Sequence, residues 1–287
     1  ESWRVSSFTG LAVGHSGELP DYDLAAAVVE PVDSSEATAA VPGHGIFDFP
    51  RGARAGTCLH AIFERLDFTQ SDPARLEELV ERMLKTHGLD ATAWTAAVSG
   101  MVRRVLETPL DASGLRLATV SADRRLNELE FYYPLANLRA DGLRRVLSRH
   151  GRAGPWRELI ETLEFNPLRG YMKGFIDLVF EADGRFYLVD YKSNWLGPEP
   201  AAYRRARLEE AMAREAYVLQ YLIYTVALHR YLRLRVPNYD YERHFGGVFY
   251  LFLRGMGPEL GADCGVFRDR PAPALVEALD RLMAMGR

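Results

Sequence analysis

The sequence predicts an α/β fold in which a mixed β-sheet is sandwiched between helices. Three observations carry that expectation: helical periodicity over residues 57–110, two apolar strand-like runs over 174–192, and a return to helix, strand and helix over 203–286. The chain has 287 residues, 48% hydrophobic and 26% charged, enough for one large or two modest domains with a sizeable core.

Residues 1–50 hold eight acidic side chains and a single Arg, net −7, so the remainder carries +3 of the overall −4. Between Val5 and Pro50 there is no Lys or Arg, and SGELPDYDLAAAVVEPVDSSEATAAVPGHG is rich in Ala, Ser, Pro, Gly and acids. Such a stretch reads as an acidic linker or loosely docked arm, with the folded body expected over 51–287.

In AGTCLHAIFERLDF, Thr57 is the expected N-cap, and Leu59, Ile62, Phe63 and Leu66 recur at helix spacing. PARLEELVERMLKTHG has Pro near its start and Gly88 near its end, and ATAWTAAVSGMVRRVLETPL continues as a third helix. LNELEFYYPL alternates like a strand, while DGLRRVLSRHG and PWRELIETL are short helices. A helix or helix pair is expected from about Tyr203 to Arg233, then a buried strand in GGVFYLFLRG and a terminal amphipathic helix in APALVEALDRLMAMG. No internal repeat is evident.

No apolar run reaches membrane-spanning length, and no signal peptide is visible. Cys58 and Cys264 cannot supply a disulfide framework, a zinc site or an iron–sulfur cluster, which makes a reducing cytoplasm the expected compartment. The chain starts at Glu1 rather than Met, as a fragment of a longer polypeptide would.

The segment GFIDLVFEADGRFYLVDYKSNW concentrates the chemistry. Asp183-Gly184 between two alternating apolar runs signals a type I′ hairpin turn. Counting back from it sets Ala182 opposite Arg185 and Asp177 opposite Asp190, with Lys192 on the same face. Directly opposed carboxylates, with Cβ atoms roughly 4.5–5.5 Å apart, repel each other. A hard divalent cation removes that conflict, and Lys192 beside it would assist a water or stabilise charge on a phosphoryl group. The bland alternative is a cross-strand ion pair between Asp177 and Lys192.

Asp177, twelve intervening residues and then Asp190-Tyr191-Lys192 form the D…D-x-K pattern. With GIFDFPRGARAGTCLHAIFE, LQYLIYTVALHRYL and YERHFGGVFYLFLRG, the chain from about Trp3 onward resembles the RecB-type branch of the PD-(D/E)XK nucleases. The resemblance implies a restriction-endonuclease-like core, a mixed sheet flanked by helices with additional N-terminal helices. It implies a Mg²⁺-dependent deoxyribonuclease of the exodeoxyribonuclease V type, acting in double-strand-break repair and recombination. Mn²⁺ or Ca²⁺ would also occupy its site, Ca²⁺ without supporting cleavage.

Carried over residue by residue, the resemblance makes Lys192, Asp177, Asp190 and Glu128 catalytic. His60, Asp177, Asp190 and the Tyr191 carbonyl become metal ligands, and Gln220 and Tyr224, in Q-x-x-x-Y, become DNA-binding. On spacing alone, His60 reads more readily as a packed or surface histidine, Glu130 shares the strand face of Glu128, and Tyr224 and Gln220 read as core. Arg144, Arg145, Arg149 and Arg152 suit phosphate tracking or, at least equally, a solvated helix face. There is no G-x-x-x-x-G-K-[ST] loop, so ATP binding is expected in a preceding helicase portion of the same polypeptide. The partners implied are DNA, that helicase portion, the RecC and RecD subunits and the RecA recombinase. A module that docks and loads RecA on single-stranded DNA is the alternative function.

Overall fold

The computed structural model describes residues 4–6, 45–150 and 156–285. Its centre is a six-stranded sheet formed by β1 (Arg4–Ser6), β2 (Arg125–Leu138), β3 (Leu168–Ala182), β4 (Arg185–Lys192), β5 (Phe245–Phe252) and β6 (Val266–Asp269). β2 and β4 pair antiparallel to β3, and β6 antiparallel to β5, whereas β1 with β3 and β4 with β5 are parallel, so the sheet is mixed as expected.

β2 follows one edge of β3 from residue 168 to 180. The other edge of β3 is shared: β4 pairs with 178–182 and β1 with 170–172, which leaves 173–177 between them. The hairpin turn is the one expected, with Asp183 and Gly184 both left-handed at φ 50° and 73°. Gly174 admits the ring of Phe131 from the paired strand: a Cβ at Gly174 would stand 2.5 Å from that ring.

Helices cover both faces. On one lie α1 (Ala53–Arg65), α2 (Pro73–Thr86) and α3 (Ala91–Glu107), whose apolar faces bury Leu178, Phe180, Val189 and Tyr191. On the other lie α4 (Ala140–His150), α5 (Trp156–Thr162), α6 (Arg205–Arg214), α7 (Tyr217–Arg235) and α9 (Pro273–Met285), packed on Phe131, Met172, Ile176 and Leu188. A one-turn helix, α8 (Tyr241–His244), precedes β5. No helix among the described residues is long and apolar enough to cross a membrane.

Side chains set the helix limits. Asp72 accepts from Ala74 N and Asp90 from Ala93 N, capping α2 and α3. Thr57 is not a cap, because α1 starts four residues earlier behind Gly52; Thr57 Oγ1 instead donates to the Ala53 carbonyl. The long helical run is a pair, broken where Ala216 adopts φ 55°. The next helix, α7, is apolar on nearly every face because sheet and helices surround it.

The N-terminal boundary moves. Arg4–Ser6 pair with β3, and Ile46 and Phe49 are core residues at 4% and 1% exposure, so the body reaches back at least to residue 45. The stretch of the expected arm over 7–44 lies outside the described residues.

Candidate active site

The site arises where β2 and β3 both interrupt their alternation. Asn127 pairs with Leu178 and Leu129 with Ile176, so Glu128 and Asp177 stand opposite each other in between. Ile176 packs beneath α7 while Leu178 packs beneath α1–α3, although residues two apart in a regular strand share a face. Glu128 marks the irregularity with φ 50°, a left-handed conformation that costs a non-glycine residue about 1–3 kcal/mol and accumulates at functional positions.

The consequence is that Glu128 and Asp177 both turn toward α1. There His60 completes a group whose ligand atoms all lie within 4.8 Å of one another. Asp177 Oδ2 sits 3.4 Å from His60 Nδ1 and accepts the Tyr191 backbone N–H at 2.7 Å. Both side chains are buried, His60 at 4% and Asp177 at 8% exposure.

Asp190 and Lys192 turn the other way, toward α7. Lys192 Nζ lies 2.6 Å from Asp190 Oδ1 and donates to Gln220 Oε1 at 3.1 Å. The Tyr250 hydroxyl donates to the same oxygen at 3.1 Å, and Gln220 Nε2 donates to the Tyr224 hydroxyl at 3.2 Å. The Tyr217 ring lies 3.9 Å from the ammonium. A lysine at 1% exposure is thereby neutralised, hydrogen-bonded and capped by an aromatic face, which is what a buried charge requires.

Several expectations change. The hairpin register runs from Ala182–Arg185 to Leu178–Val189 and stops one pair short of Asp177–Asp190. The strands part there, the reversal swings Asp177 to His60, and Asp190 keeps Lys192. The cross-strand pair of Asp177 with Lys192 is therefore not the ion pair formed. Glu128 rather than Glu130 joins the cluster; Glu130 is 55% exposed and pairs with Lys173 at 2.8 Å. Gln220 and Tyr224 are buried at 3% and 1% exposure, with Gln220 hydrogen-bonded to both Lys192 and Tyr224.

Arg144 donates to the Leu163 carbonyl and Arg145 pairs with Asp141 on α4, which packs on the face of the sheet away from His60; Arg152 lies outside the described residues.

Two contributors escaped the sequence reading. Tyr250 was legible only as core. Arg254 closes the apolar run of β5 as Lys192 closes that of β4, the one signal that marked it. At 2% exposure it donates to the carbonyls of Ser193 (3.0 Å), Ile46 (2.9 Å), Phe49 (2.8 Å) and Pro50 (2.7 Å). It thus fastens the approach to α1 against the end of β4.

One imidazole and two opposed carboxylates, with His60 and Asp177 buried and Glu128 half-buried, fit a divalent cation that accepts oxygen and nitrogen ligands. Tyr191, stacked on Phe63 at 4.6 Å, stands edge-on to the His60 ring. Burial, reinforced by the Asp177 and Glu128 carboxylates, raises its phenol well above the ordinary value, so it stays neutral.

The sequence model of the PD-(D/E)XK nuclease superfamily matches residues 42–282. The chain is 41% identical to the RecBCD enzyme subunit RecB of Escherichia coli K12, covering 99% of this chain and 23% of that protein. It is 37% identical to RecB of Haemophilus influenzae Rd, over 98% of this chain and 23% of that protein. Against RecB of Mycobacterium tuberculosis H37Rv the identity is 36%, over 100% of this chain and 29% of that protein. The chain thus spans about a quarter of the length of these relatives.

Proposed function

The chain belongs to the PD-(D/E)XK nuclease superfamily, and from that premise we propose that it is a Mg²⁺-dependent DNA nuclease domain cutting strands delivered by an attached helicase in double-strand-break repair and recombination. The observation that carries this reading is the convergence of His60, Glu128 and Asp177 within 4.8 Å at a doubly interrupted strand pair.

When bound, a hard divalent cation supplies Lewis-acid polarisation of the scissile phosphate and a water of lowered pKa. His60, Glu128 and Asp177 would hold it; the family resemblance adds the Tyr191 carbonyl and also Asp190, whose carboxylate stands here with Lys192. Lys192 is the cation supplied by the protein itself. Asp190 pairs with it, and Gln220, fixed by Tyr250 and Tyr224, aims it, so that it donates a hydrogen bond to the attacking water or to charge developing on the phosphoryl oxygens.

The resemblance to RecB subunits supports assembly with a helicase portion of the same polypeptide and with RecC and RecD, in the bacterial cytoplasm. Plasmid nicking tests the reading. Cleavage with Mg²⁺ that EDTA, Asp177→Asn and Lys192→Ala each abolish is expected. Metal-independent RecA binding without nicking would instead support the loading module.

A further inference from the structure

Arg254 fastens the approach to α1, and the far end of the same helix is held from β2. The Leu66 N–H closes the last helical turn on the Ile62 carbonyl, so the carbonyls that follow need partners from outside the helix. β2 supplies two: Asn127 Nδ2 donates to the Glu64 carbonyl and Arg125 Nη2 to that of Leu66. The Arg125 guanidinium also lies 3.6 Å from the centroid of the Phe68 ring, just past the helix, and a cation there suits the negative end of the helix dipole. Both side chains are half-buried, where water competes less for such bonds. His60 stands about one helical turn before Glu64, and Glu128 immediately follows Asn127.

We infer that Arg125 and Asn127 are positioning residues for the metal group: they strap the strand that carries Glu128 to the helix that carries His60, and so set the spacing of imidazole and carboxylate. The inference rests on the nuclease reading above. Alternation puts residues 125 and 127 on the face toward α1. The break at Glu128 then sends Leu129 to the core on the α7 side, while the Glu128 carboxylate stays with His60. A left-handed glutamate persists only where its surroundings leave the backbone no alternative, and the two hydrogen bonds just before it supply that constraint. Neither strap residue belongs to the His60, Glu128 and Asp177 group, so its effect on a cation passes through those ligands.

Mn²⁺ titration of the DNA-free protein, read from the electron paramagnetic resonance signal of the free ion, tests the inference. Asn127→Leu and Arg125→Met are each expected to raise the Mn²⁺ Kd about tenfold, the lower end of the range for losing an outer partner of a metal site. Arg125→Lys, which keeps a donor, should recover most of the loss. In a His60→Ala background the same changes should weaken Mn²⁺ binding no further, because the spacing they set has lost one end. An unmoved Kd in variants that melt like the wild type overturns the strap. A lower melting temperature in EDTA with the Kd unmoved overturns it too, since a purely structural bond would give that result. Full losses repeated in the His60→Ala background overturn the route through His60. If Asn127→Leu does not fold, Arg125→Met against Arg125→Lys decides, and equal Kd values for the two overturn the strap. A wild type that takes up no Mn²⁺ overturns the nuclease reading itself, an outcome distinct from normal uptake that the variants leave unchanged.

Discussion

Tyr191 donates its backbone N–H to Asp177 Oδ2 at 2.7 Å, where the β3–β4 ladder would otherwise have continued. The carboxylate takes the place of a strand partner and at the same time faces Glu128 and His60. Asp177→Asn preserves the acceptor and removes one of two opposed charges. In EDTA this variant should melt at or above the wild-type temperature. It should also lose the gain from Mn²⁺, about 2.7 kcal/mol when the ion is at a hundred times its Kd. Asp190→Asn should behave oppositely in EDTA, losing about 3–5 kcal/mol because the Lys192 ammonium stays buried without its carboxylate. Thermal melts with EDTA and Mn²⁺ separate these outcomes; equal losses in EDTA would contradict the division of the two carboxylates.

Glu128 holds a backbone conformation that glycine adopts without strain. Glu128→Gly should therefore raise stability by about 1 kcal/mol in EDTA and abolish both cleavage and the metal-induced shift. Urea denaturation beside a nicking assay reads both, and a stability loss would show that the Glu128 side chain contributes more than its backbone costs.

Gln220 touches Lys192, not the metal group. Gln220→Leu should lower kcat about 10–100-fold, the range for losing a partner that orients a functional group. The midpoint of the Mn²⁺ titration should not move, and Gln220→Glu, which keeps an acceptor for Lys192, should recover part of the loss. A shifted titration midpoint would place Gln220 in the metal pocket.

His229 is packed between the Tyr239 and Tyr241 rings, and burial lowers its pKa below the ordinary 6.5 despite the opposing Asp280 carboxylate. The unfolded chain then binds the proton more readily than the folded one. The associated stability is complete above about pH 6.5 and declines as pH falls below it. Denaturation midpoints between pH 7.5 and 5 should show this slope, and His229→Gln should flatten it.

Much of the fold was legible because its signals are local. Asp183-Gly184 dictated the turn, and the register counted from it holds as far as Leu178–Val189. What strict alternation missed is the interruption at Glu128 and Asp177, since no local signal announces a left-handed glutamate inside a strand. Gln220 and Tyr224 were recognised as a pair, but the hydrogen bond from Lys192 to Gln220 was not legible, because helix spacing says which side chains travel together and not what lies beneath them. β1 is three residues long and makes sense only against β3, far away in sequence.

Arg254 joins carbonyls 204 to 208 positions earlier in the chain. Closing so large a loop is entropically costly, and contacts of that span form after local ones have reduced the cost. During synthesis, α1 and the β3–β4 hairpin leave the ribosome well before Arg254 does, so the clamp across residues 46–50 and Ser193 closes only near the end of translation. A nascent chain interrupted after residue 250 would carry every residue of the His60, Glu128 and Asp177 group and still lack the fastening that fixes His60 against the hairpin. The order of emergence therefore keeps the candidate site incomplete until the rest of the domain has been made.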